Sequence, residues 1–191
     1  MKRRMIGTLL LAPLLCHAAE TVQLALPGGP AAQTSTIDLP DNATALLHVY
    51  GLALLVDPAS DAGVTADLVL LTQPPAWRAI TGQKGALRIW DRLAVRKGRA
   101  RLHITALPDP GGRQAALMLD FGPTCRILVH GGTLHMADIE AIPHRYPGAG
   151  LALLRDADGP LLMTIAMDGA AATLQRGQPL RMGPACGAKA R

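Results

Sequence analysis

NATALLHVYGLALLVDP, residues 42–58, decides how the chain is read. Ala43 to Tyr50 is strand-like, and Gly51 supplies a turn. Leu52 to Val56 is then a continuous apolar run stopped by Asp57-Pro58. Two such runs about a glycine predict a hairpin with one buried partner. Downstream, Asp67 to Thr72 reads as another buried strand, stopped by Pro74-Pro75. Leu87 to Ala94 and Arg101 to Leu107 form a pair turning at Lys97-Gly98, and Gln114 to Phe121 pairs with Arg126 to His130. Leu151 to Leu154 is a further strand. Two helices are expected. One runs from Asp138 to Arg145, with Thr133 in its N-cap region and Pro147-Gly148 as its stop, and the other is the Ala-rich stretch Asp168 to Gln175. Upstream, Thr21 to Leu26 is a strand before a Gly/Pro/Ser/Thr-rich stretch ending at Pro40.

Composition sets the limits on these assignments. At 191 residues, one domain is expected. Hydrophobic residues make up 49% and charged residues 17%, enough apolar material for a core and too much for a disordered chain. Five aromatics (Tyr50, Trp77, Trp90, Phe121 and Tyr146) are too few for a base-stacking surface. The net charge of +5 includes Lys2, Arg3 and Arg4, and falls to about +2 without them. No nucleic-acid partner is expected, because the one dense basic stretch, Arg88 to Arg101, reads as a solvated hairpin.

Met1-Lys2-Arg3-Arg4, the apolar run Ile6 to Cys16, and the small residues Ala18-Ala19 have the three-part form of a secretory signal peptide. The apolar run is shorter than the roughly 17–25 residues a membrane-spanning helix needs, so no span is expected after cleavage. Residues 1–19 are therefore assigned to the signal, and a periplasmic or secreted location follows. Residues 20–41 form an N-terminal strand and linker-like segment, 42–175 the main domain, and 176–191 a C-terminal tail. Cys125 and Cys186 are the cysteines left after cleavage, and in an oxidising compartment they predict a disulfide.

The order of these elements resembles the metallo-β-lactamase superfamily, in particular its lactonase-like and phospholipase-D-like metallohydrolases. Asn42 to Pro58 resembles that family's opening hairpin, and Asp67 to Thr72 the strand that feeds its metal loop. Arg101 to Pro108, Arg126 to Thr133, the helix from Asp138 and Ala166 to Ala171 resemble later motifs in order. The resemblance covers about residues 42–175. It implies an α+β fold, a trimmed αββα sandwich of two packed mixed sheets with few outer helices.

The same resemblance implies one or two metal ions, usually zinc, held by converging imidazoles and carboxylates that lower the pKa of bound water. The ligand positions are not kept. The metal-loop histidines and aspartate fall on Gln73, Pro75, Trp77 and Arg78, the bridging aspartate on Gly132, and the histidine of the opening motif on Asn42. Trp77 is expected to fill the vacated cleft. His130 and His135 flank Gly131-Gly132-Thr133, and with Asp138 they are the candidates for a relocated zinc site. His48, His103 and His144 read as structural or solvated. No G-x-S-x-G elbow, dinucleotide fingerprint or phosphate loop is present. The expectation is an exported, degenerate relative of a hydrolase, without cofactor, that binds a small molecule or an envelope protein. The alternatives are a hydrolase at the relocated site and a structural or assembly protein of the envelope.

Overall fold

The computed structural model describes residues 19–28, 35–42, 44–59, 65–109, 115–166, 172–176, 180–182 and 186. The expected signal peptide therefore lies outside the described residues, except for Ala19. The hairpin of residues 42–58 is present, as strands β3 (Ala45–Val49) and β4 (Leu52–Val56) paired antiparallel about Tyr50-Gly51. Tyr50 and Gly51 both have positive φ, which suits a two-residue turn between twisted strands. Ahead of the hairpin come β1 (Thr21–Leu26) and β2 (Thr36–Asp38).

Beyond it, β5 (Leu68–Thr72), β6 (Pro75–Ala79) and β7 (Lys84–Ala86) form a meander, and β8 (Arg92–Lys97) and β9 (Ala100–Pro108) a hairpin. Then follow β10 (Ala115–Asp120), β11 (Arg126–Thr133), helix α1 (Met136–Arg145), β12 (Leu151–Asp156), β13 (Gly159–Ile165), β14 (Ala172–Arg176) and β15 (Leu180–Arg181).

These strands make two mixed sheets. The first runs β1-β8-β9-β10-β11-β12-β13-β14, and the second β15-β2-β3-β4-β5-β6-β7. They pack face to face over one core, because strand alternation sends every second side chain inward. Leu47, Leu54, Leu68 and Leu70 come from the second sheet, and Leu93, Leu102, Ile104 and Ile127 from the first, all with no exposed surface. An ion pair ties the sheets together. Lys97 on β8 donates to Asp67 Oδ2 at 2.7 Å, to Oδ1 at 2.9 Å, and to the Gly51 carbonyl at 2.9 Å. The Cys125–Cys186 disulfide is formed, with Cα atoms 4.6 Å apart and a sequence separation of 61. Closing a loop of that size is worth about 4 kcal/mol in the chain-entropy account.

The α+β expectation is overturned. The described residues are mostly strand, with α1 as their one helix, so the molecule is not an αββα sandwich. The reason lies in the connections. β5 to β6, β8 to β9 and β12 to β13 are joined by two residues each, too short for a crossover helix. The expected helix at Asp168 to Gln175 is also corrected. Residues 168–171 lie outside the described residues, and Ala172–Arg176 is strand β14, paired antiparallel with β13. A partner strand outweighs the helix preference of a few alanines. Thr133 ends β11 instead of capping α1, whose N-cap is His135. The segments before residue 42 and after residue 175 join the same sheets, since β1 pairs with β8 and β15 with β2.

Helix α1 is the crossover of the parallel β11–α1–β12 unit. It lies on the outer face of the first sheet, where Ile139 and Ile142 pack with Ala116, Leu128, Ala152, Leu154 and Met163 in a second core. Asp138 in the first turn and Arg145 in the last suit the helix dipole and approach each other at 3.6 Å. No helix among the described residues is long and apolar enough to cross a membrane.

Candidate functional site

The end of β11 holds the residues proposed for a relocated metal. Against β12 the strand shifts register between Val129 and Thr133, while His130 still pairs with Ala116 on β10. His130 is buried, and its Nδ1 lies 3.0 Å from the Gly132 carbonyl. A carbonyl only accepts, so Nδ1 is the donor of this contact. Nε2 has no partner among the described residues. His135, by contrast, is exposed at the N-cap of α1, and Asp138 is turned toward Arg145. Among the described residues, no three His, Cys, Asp or Glu side chains gather closely enough to share an ion.

Gly131 explains the local packing. A Cβ there would collide with Thr72 Oγ1 and lie 2.7 Å from Asp57 Oδ2. Asp57 accepts from the Thr72 amide at 2.8 Å and from the Thr72 hydroxyl at 2.6 Å, at a backbone φ of 45°. This pair closes one end of the sandwich and spends both carboxylate oxygens on structure. Asp57 is thus a structural hydrogen-bond acceptor that joins the end of β4 to the end of β5.

Gln73, Pro75, Trp77 and Arg78 lie on a turn and on β6. Gln73 is exposed in the turn, Pro75 opens the strand, and the side chains from Trp77 to Ala79 alternate in and out. Trp77 faces inward, only 6% exposed, and joins the core between the sheets. Gly85 on β7 sits directly opposite. A Cβ there would lie 3.0 Å from the indole Nε1, so the glycine lets β7 cross over the ring.

The other face of the same strands forms a concavity. It is an open groove of about 770 Å³, bounded by Pro58, Val69, Leu71, Ala76, Arg78 and Lys84. Leu71 is 38% exposed. Arg78 and Lys84 are direct cross-strand partners on this face, and both are exposed. They bring two positive charges to one edge of the groove. The sequence missed this face because Leu-Val-Leu-Leu-Thr carries apolar residues at every position and so reads as a strand buried on both sides. The outward signals are Arg78 and Lys84 on the neighbouring strands.

A smaller hollow of about 320 Å³ lies on the first sheet beside the end of α1. Tyr146 borders it, buried, with its hydroxyl donating to the Pro108 carbonyl at 2.8 Å. Burial first, then the nearby Asp109 carboxylate, pushes the Tyr146 phenol up to about 12, against a smaller opposing effect of Arg145.

Comparison with known proteins returned no matching family model, curated protein or solved structure.

Proposed function

We propose that the chain is an exported, non-catalytic binding protein whose ligand is an anionic amphiphile seated in the groove of the second sheet. The observation that carries this is the pairing of Arg78 with Lys84 at the rim of an otherwise apolar concavity. An apolar body on Val69, Leu71 and Ala76 would gain from leaving water, and a carboxylate between the two cations would gain from charge-assisted hydrogen bonds. The volume falls within the roughly 300–1,000 Å³ common for ligand sites. Export is supported by the signal-like N-terminus and by the disulfide. A role without metal chemistry is supported by the positions of His130, His135 and Asp138, which are respectively buried, exposed at a helix cap and turned to an arginine.

Calorimetric titration with dodecanoate, dodecanol and dodecyltrimethylammonium tests the reading. Dodecanoate should bind best, and Arg78→Gln with Lys84→Gln should weaken it about tenfold or more. Equal binding of all three, or none of dodecanoate, overturns it. Elemental analysis is the second check. One bound metal per chain, lost in His130→Ala, would restore the hydrolase alternative.

A further inference from the structure

We infer that the hollow beside the end of α1 is a second binding site, for the pyranose ring of a neutral oligosaccharide, with Trp90 as its stacking platform. Trp90 is 57% exposed, the most exposed large apolar side chain among the described residues. Its backbone sits at φ 75°, a region that bulky residues rarely occupy. The turn that holds it there is pinned from several sides. The Trp90 amide donates to the Ala106 carbonyl at 2.7 Å, and the Asp91 amide to the Arg88 carbonyl at 2.9 Å. The Asp91 carboxylate accepts from the Arg88 amide at 2.9 Å and from the Glu20 amide at 3.2 Å. A strained residue over-determined by its neighbours, presenting a bare indole to solvent, points to function.

The surroundings select the ligand. Trp90, Leu107, Met118 and Tyr146 give apolar surface, and Asp109 and Arg145 bring one acceptor and one donor group of opposite charge to the same hollow. A wholly apolar ligand would take charged groups further from water and offer them no hydrogen bond in return. A charged ligand would be attracted by one and repelled by the other. A sugar ring is neutral, lays an apolar C–H face on the indole, and carries hydroxyls that can both donate to a carboxylate and accept from a guanidinium. A nucleobase also has a flat face. However, Tyr146 is buried with its hydroxyl engaged, so no second ring is available to sandwich a base.

The test uses the full exported chain titrated with cellotriose, maltotriose and triacetylchitotriose, followed by NMR of the two indole N–H signals. At least one trisaccharide should shift Trp90 while leaving Trp77, buried under the other sheet, in place. Trp90→Gly should melt no lower than the parent, since glycine accepts this φ, yet lose affinity at least tenfold. Trp90→Phe should keep much of it, and Leu71→Ser, in the other groove, should not alter it. No binding by any of the three at millimolar concentration, unchanged binding in Trp90→Gly, or equal binding of adenosine would each overturn the inference.

Discussion

The outer faces of the two sheets differ. On the first sheet, the strands under α1 send Ala116, Leu128 and Ala152 outward, and the helix buries them. Where that sheet has no helix, its outward residues turn polar, with Gln23, Arg96, Arg101 and His103 all exposed. On the second sheet, Val69, Leu71 and Ala76 face outward, and no helix among the described residues packs on them. Several outward residues of the first sheet are thus polar where α1 does not cover it, whereas the second keeps an apolar face on which no described helix packs. A face of that kind marks a contact surface more often than it marks a flaw.

Four substitutions can break or sharpen this contrast. Trp77→Ala acts on the inner side of the uncovered sheet. We expect a loss of about 3–5 kcal/mol in denaturant unfolding, the range for a buried large aromatic. A shift near zero would mean that the inner side of β6 is as loosely held as its outer side. Ile142→Ala, fully buried under the helix, should cost about 2–5 kcal/mol. A much smaller cost would reduce α1 to an ornament and erase the difference between the faces.

Tyr146→Phe should cost about 1 kcal/mol at neutral pH, the usual worth of one hydrogen bond. It carries a pH signature as well. Because the folded phenol is pushed up to about 12, its contribution to stability is complete below the ordinary value near 10 and fades as the pH climbs to 12. The parent should lose stability over that interval, and the phenylalanine variant should lose less. Leu71→Ser should change stability by no more than about 0.5 kcal/mol while weakening dodecanoate. A large drop in stability would show that the outer face of β5 is covered after all.

The inner faces were the legible part of this fold. Leu52 to Val56, Leu68 to Thr72 and Arg101 to Leu107 were readable because apolar residues recur at the strand period or fill every position. The basic stretch Arg88 to Arg101 was readable as an exposed hairpin for the same reason, except that Lys97 turns inward to Asp67. β6 was not legible. Pro74-Pro75 looks like a stop, yet a proline can open a strand, where its missing N–H does no harm. β13 was lost because Gly159-Pro160 reads as a loop, although Leu161 to Ile165 pairs on both sides. The α+β αββα sandwich expected from motif order is not the fold, because the described residues are mostly strand with α1 as their one helix. The candidate site was legible only as residue types. His130, His135 and Asp138 are close in sequence, but a strand shift and a helix start separate their side chains.

The second sheet also has a consequence for timing. β2 is flanked by β3 from the next few residues and by β15 from the far end of the chain, through Ile37 opposite Leu180 and Thr36 opposite Arg181. A polypeptide emerging N-terminus first can assemble β3 to β7 early, but one margin of β2 stays unpaired until the last residues arrive. Cys125 must likewise wait for Cys186. An open strand margin is where a second molecule can add. That margin is covered once β15 pairs with β2.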